Sequence, residues 1–333
     1  MRRQEFLKSI AFSSAAFWWD LPDSKTPRKP PMLKAGDLVA ICSPAGYISL
    51  EDIQPAIQQI TSWGLQVVIG DSIGKRDFTF GGTDEERAAD LQHWLDHHQV
   101  KAILCARGGY GMVRIIDQLH FKGFLKHPKW VIGFSDITVF HAHIQSKFGM
   151  PTIHSKMCNS FPKDWSLAEP IQVETILSIK QALMGPPLQY AIPAHPENKC
   201  GKATGKLVGG NLRTLETLAG TASDLETKGN ILFVEDTGEY LYSIDRMFWN
   251  LKRSGKLHRL KGLLIGGFKV KPEEADEPFG KTLQQIVLEK VKEYNYPVCF
   301  DFPVGHQKNN FALKCGIKHQ LVVNADGVTL KEI

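Results

Sequence analysis

The sequence predicts an α/β protein in two parts: an amino-terminal domain built on a parallel sheet, and a smaller, β-rich carboxyl-terminal domain. Three observations carry this. Short apolar runs alternate with stretches of helical spacing from residue 37 to about 155. The turns between them are short, and strands alternating with helices through short loops imply a parallel sheet with helices on both faces. The rhythm breaks over 161–200, and the chain ends in alternating segments. These boundaries predict a leader and linker at 1–34, a first domain at 35–160, a connection at 161–200 and a second domain at 201–333.

In the first domain, "DLVAIC" reads as a strand and "SLEDIQPAIQQITSWG" as a helix, with Ile53, Ile57 and Ile60 on one face and Gly64 as the stop. "LQVVIG" is a second strand. In "TDEERAADLQHWLDHH" Thr83 is the expected N-cap, and acids fill the first turn where the helix dipole favours them. "VKAILCARGGYG" is a strand running into glycines. "MVRIIDQL" is helical, "WVIGFSD" is a fourth strand, "ITVFHAHIQSKFG" a helix and "MPTIHSKM" a fifth strand. In the second domain "GKATGKLVGGNLRTLETLAGT" predicts a strand, a turn at Gly209-Gly210 and a helix capped by Asn211. "NILFVEDTGEYLYSIDRMFWNLKRSG" predicts a strand ending at Glu235, an acidic turn and a helix. Asp326-Gly327 marks a final hairpin.

The chain has 333 residues, is 43% hydrophobic and 23% charged, and carries a formal charge of +5. Much of the basic excess lies in the first 34 residues, so no nucleic-acid footprint is expected. Six cysteines form no CxxC pair, which argues against a zinc ribbon and makes most of them small core residues. His141 and His143 stand two apart on a helix and face different ways, so no metal site is expected. No run reaches the roughly 18 apolar residues of a membrane span. The start, "MRRQEFLKSIAFSSAAFWWD", is similar to a twin-arginine export signal, with the spacing one residue off.

In such sheets functional groups gather where the strands end. Ser135, in "GFSDI", follows a strand and opens a helix. It reads locally either as a cap or as a nucleophile held out beside the helix N-terminus. The glycines of "ARGGYG" bring bare backbone close to something, whether an anion or nothing. Glu235 ends a buried strand, and His306 lies in a loop after one. A serine needs a base, and the base needs a carboxylate to fix its tautomer. The order Ser…Glu…His makes these three worth reading together.

Taken together, "SPAG", "ARGGYG", "IGFSDIT", "GKLVGGNLRTLETLAGT", "FVEDTGEYLYSIDRMFWNLKRSG" and "FPVGH" resemble the LD-carboxypeptidases, serine peptidases that include the microcin C immunity enzymes. The resemblance spans residues 35–330. It implies Ser135 as nucleophile, Glu235 as acid and His306 as base, with an oxyanion hole of the backbone N–H groups of Asp136 and Gly108. It implies a first domain resembling class I glutamine amidotransferases, no cofactor, a homodimer and a cytoplasmic enzyme, or a periplasmic one if the leader is a signal. The implied reaction removes the terminal D-alanine of a murein tetrapeptide at its L,D bond. Arg107, Tyr110 and Arg246 are the candidates for holding the substrate. The chain departs from the family's pattern at Met112 and in "HSKMCNSFPKDWS", where murein enzymes commonly carry a His-Gly-Pro-like stretch near 154–157. That leaves substrate choice open, with a peptidyl-nucleotide antibiotic as the alternative. Other classes also remain: a catalytically silent binder of murein fragments, or a nucleotide binder, although no acid is clearly placed about 20 residues beyond the glycines.

Overall fold

A computed structural model describes residues 29–273 and 276–333. The chain runs through β1 (Leu38–Cys42), α1 (Gln54–Ser62), β2 (Gln66–Ile69), α2 (Asp84–Asp96), β3 (Val100–Cys105), α3 (Met112–Ile115), α4 (Lys122–Lys126), β4 (Trp130–Gly133), α5 (Thr138–Phe148) and β5 (Thr152–His154). It continues through α6 (Pro170–Met184), β6 (Gln189–Ile192), β7 (Gly201–Asn211), α7 (Leu212–Thr217), β8 (Ile231–Glu239), α8 (Leu241–Arg253), β9 (Gly262–Val270), α9 (Leu283–Val291), β10 (Val298–Cys299), β11 (Leu313–Cys315), β12 (Lys318–Val323) and β13 (Val328–Glu332). The fold is mixed α/β, as predicted.

The first sheet has the order β11-β5-β4-β3-β1-β2, parallel except at β11. The second has the order β10-β9-β8-β7-β12-β13-β6, with β10 to β7 parallel and the rest antiparallel. The alternating carboxyl-terminal segments form that antiparallel half because one face is buried and the other is wet. Local chemistry sets the helix ends. Thr83 and Glu86 close a capping box on α2. At the other end of α2, Lys129 is buried and donates to the carbonyls of Trp94, Leu95 and His97.

Four expectations need correction. The stretch 161–200 is more than a connection. It contains α6, which starts with Pro170 in its first turn and a Glu169–Gln172 capping box, and buries Ile176, Ile179, Ala182 and Leu183. It also contains β6, an edge strand on β13. Gly209-Gly210 is no turn, since β7 runs straight through both. β8 does not end at Glu235; it continues to Glu239, past a register shift after Val234. Finally, β11 leaves the second domain and pairs with β5 of the first, Leu313 opposite His154.

The export-signal reading lies outside the described residues. Of the predicted linker, residues 29–34 are described, and they pack against the body. Leu33 is buried and donates its N–H to the Leu183 carbonyl at 2.8 Å, while the Pro31 carbonyl accepts from Trp130 Nε1 at 2.9 Å.

Two buried carboxyls tie loops together near the ends of the strands. Asp136 accepts from the Met112 N–H at 2.8 Å, fastening the glycine loop after β3 to the turn after β4. Asp236 accepts from the N–H groups of Arg213 at 2.8 Å and Thr237 at 2.7 Å. Burial pushes each from the ordinary 3.8 to about 6. The two domains also touch through backbone. The Asn211 N–H donates to Thr138 Oγ1 at 3.0 Å, and a methyl on Gly210, whose φ is 151°, would lie 2.5 Å from that oxygen.

Two outcomes are expected. Gly210→Ala should destabilise the protein by about 1–3 kcal/mol in chemical denaturation, because the added methyl forces β7 away from α5. An unchanged midpoint would refute the close approach. For Asp136, a folded pKa raised above the unfolded value means the folded state holds a proton that the unfolded chain releases between about pH 4 and 6. Its contribution to stability therefore falls as pH rises through that window and is constant above it. Asp136→Asn should accordingly gain stability relative to the parent between pH 4 and pH 7, on the order of 1–3 kcal/mol, read as the change in the difference of their melting temperatures. A difference that stays flat with pH would contradict the burial cost.

Candidate active site

The junction of β4 and α5 holds Ser135 at φ 62°, the left-handed region, between an extended Phe134 and the helix. A non-glycine residue there costs on the order of 1 kcal/mol or more and persists only when its surroundings fix it. They do so here. The Gly133 carbonyl takes hydrogen bonds from Ser155 N–H at 3.0 Å and from His141 Nε2 at 2.9 Å. Asp136 is anchored to α3. The result turns the Ser135 hydroxyl away from the sheet, toward the second domain.

From that domain comes His306. Its Nε2 lies 3.2 Å from Ser135 Oγ, and its Nδ1 lies 2.6 Å from Glu235 Oε2. The same Oε2 accepts the His306 backbone N–H at 3.2 Å. With Nδ1–H donating to a carboxylate, Nε2 is left as the acceptor facing the hydroxyl. Glu235 is fully buried, and its Oε1 has no hydrogen-bond partner among the described residues. Glu235 sits on β8 opposite Asn211 of β7. The loop bearing His306 is held from both sides: Gly305 N–H donates to Asn310 Oδ1 at 2.8 Å, and Gly267 N–H of β9 donates to the Val304 carbonyl at 2.9 Å. Gly305, at φ 104°, is required where it stands, because a methyl there would come within 2.4 Å of Glu235 Cβ.

The glycine loop lies beside the serine. A methyl on Gly108 would sit 3.0 Å from Ser135 Cβ. The Gly108 N–H has no acceptor among the described residues, while the Gly108 carbonyl takes the Gly46 N–H at 2.8 Å. Asp136 points its carboxyl at Met112, and the acid that meets the histidine is Glu235.

The predicted substrate-holding residues fare differently. Arg107 is exposed on the loop preceding Gly108 and donates to the Tyr47 carbonyl at 2.9 Å. Tyr110 is exposed beside Phe80, their rings 5.8 Å apart. Arg246 stands on α8 with its guanidinium 5.4 Å from the centre of the Tyr242 ring. The sequence reading missed the other flank of the site. Phe134, Lys156, Lys269 and His306 line a cavity of about 400 Å³, with α6 forming a further wall through Gln172 and Thr175. The one signal for Lys156 was the departure at "HSKM". Among the described residues no group of three or more His, Cys, Asp or Glu side chains is arranged to hold a metal, and no helix is long and apolar enough to cross a membrane.

Comparison with known proteins agrees with this architecture. A murein tetrapeptide carboxypeptidase of Pseudomonas aeruginosa is 29% identical, over 84% of this chain and 91% of its own. The crystal structure of a muramoyltetrapeptide carboxypeptidase from Oxalobacter formigenes superposes with a TM-score of 0.79 at 30% identity, covering 89% of this chain and 98% of that one. The microcin C7 self-immunity protein MccF shares the fold, with a TM-score of 0.80 at 21% identity, covering 92% of this chain and 99% of its own. A Bacillus subtilis (strain 168) protein described as a "Probable murein peptide carboxypeptidase" is 34% identical, over 87% of this chain and 90% of its own. Residues 39–155 match the LD-carboxypeptidase N-terminal domain and residues 204–321 the LD-carboxypeptidase C-terminal domain, so this chain belongs to the LD-carboxypeptidase family.

Proposed function

We propose that this protein is a serine-type L,D-carboxypeptidase that releases the terminal D-alanine of a murein tetrapeptide. The observation that carries the reading is the unbroken contact series from buried Glu235 through His306 to Ser135 Oγ, at 2.6 and 3.2 Å, with the serine on a left-handed turn. The names of the Pseudomonas and Oxalobacter relatives supply the substrate class.

In this mechanism Ser135 Oγ attacks the carbonyl carbon of the L,D amide, and its proton passes to His306 Nε2. Glu235 holds the imidazole by Nδ1 and stabilises the cation that forms. The carbonyl oxygen, now negative, is met by the N–H groups of Gly108 and Asp136 at the start of the helix. The C–N bond breaks as His306 returns the proton to the departing amine. Water then attacks the acyl-serine ester, giving its proton to Nε2, and Ser135 leaves with that proton. The same apparatus would serve an amide in a peptidyl-nucleotide, so the substrate is decided by product analysis with both compounds.

Ser135→Ala should cut D-alanine release from tetrapeptide by on the order of 10⁴-fold or more with the melting temperature retained. His306→Ala and Glu235→Ala should each cost heavily, and the triple variant little more than Ser135→Ala, because the three act as a unit. An active Ser135→Ala enzyme would refute the mechanism. Cleavage of the peptidyl-nucleotide alone would move the substrate assignment.

A further inference from the structure

Resting on that reading, we infer that Lys156 and Lys269 form the subsite for the terminal carboxylate of the departing D-amino acid, the group that makes the enzyme act only at a chain end. The leaving amine must come within hydrogen-bond reach of His306 Nε2, since that nitrogen protonates it. The terminal carboxylate is separated from that amine by a single carbon, so it falls on the histidine's side of the site. The cavity on that side is the one lined by His306, Phe134, Lys156 and Lys269.

Lys156 is built into this wall. It stands two residues past the end of β5, is half-buried, and donates to the Gln307 carbonyl at 2.6 Å. Its ammonium stands 5.7 Å from the centre of the Phe134 ring, and that ring packs 4.9 Å from the imidazole of His306. An ammonium has three donors, and the Gln307 carbonyl occupies one. Among the described residues no carboxylate pairs with Lys156 or Lys269, and the nearby Glu235 bonds His306 instead. Burial, and then the neighbouring charge of Lys269, lower Lys156 to about 8, against a smaller opposing pull from Glu235. A carboxylate entering between them would relieve both effects. Arg107 and Arg246, the cations expected from sequence for this task, do not line this cavity.

The test uses the full chain with Ser135→Ala, titrated calorimetrically with three ligands: murein tetrapeptide, the same peptide with its terminal carboxylate amidated, and the peptide amidated instead on the diamino acid's side-chain carboxylate. Terminal amidation should weaken binding on the order of tenfold to a hundredfold. Adding Lys156→Met should weaken binding of the acid by a similar factor and leave the terminal amide little changed, so that acid and amide become equivalent. Lys156→Arg should keep much of the discrimination. Three outcomes overturn the inference: equal binding of acid and terminal amide to the parent; equal loss of both on Lys156→Met, which would make Lys156 only a brace for the His306 loop; or loss confined to the side-chain amide. D-alanine release by the enzyme with Ser135 intact is measured in parallel. Turnover without Lys156-dependent discrimination sinks the subsite alone. No turnover and no binding sinks the functional reading and the subsite with it.

Discussion

The rest of the molecule is arranged around one hydrogen bond, that between the buried carboxylate of Glu235 and His306 Nδ1. A carboxylate with no exposure is costly unless it is compensated, and this one leaves Oε1 unpartnered among the described residues. Its compensation is concentrated on Oε2, which takes both the ring N–H and the backbone N–H of the same residue. That double contact fixes the imidazole's orientation as well as its tautomer. It also requires the His306 loop to lie flat against β8, which explains why Gly305, Asn310 and β9 crowd the same few ångströms.

Ser135 comes from the other domain, so the proposed chemistry would be only as precise as the docking of the two. That docking is not left to side chains alone. β11 crosses from the second domain to complete the first sheet beside β5, and the Asn211 backbone bonds to Thr138 at the start of the serine's own helix. Asn211 is in turn opposite Glu235 in the ladder. A short path therefore runs from the Thr138 hydroxyl of α5, which begins at the serine turn, through the backbone of Asn211 to the strand that carries Glu235. Shifting one domain would strain a sheet edge and a buried hydrogen bond together.

Much of this was legible because the chemistry is local to strand ends. A serine before a helix, an acid in a buried strand and a histidine after a short strand can be read from spacing and type. Their meeting cannot, since it depends on contacts across 71 and 171 residues of chain. The helix at Pro170–Met184 is masked in the sequence by flanking prolines, although Pro170 at its start and Gly185 at its end are ordinary helix boundaries. Gly209-Gly210 reads as a turn by composition. The glycines are there because Phe233 and Thr138 approach the backbone, a constraint that only packing reveals. For the same reason charge alone selected Arg107 and Arg246. A lysine's worth to a site depends on what it faces, and sequence records only that it is a lysine.

That dependence bears on selectivity. Lys156 is half-buried, with one carbonyl and one aromatic face for company. Leaving a polar group unpaired in such a place costs more than an average hydrogen bond contributes. A substrate that ends in a carboxylate satisfies the ammonium. A longer chain, whose next peptide bond would occupy the same place, removes its water and returns no charge. A site built to pair a charged group therefore rejects ligands lacking it far more strongly than an apolar pocket rejects an extra methylene. On this account the restriction to chain ends arises less from a wall that blocks longer peptides than from the penalty they incur by covering an unpaired cation.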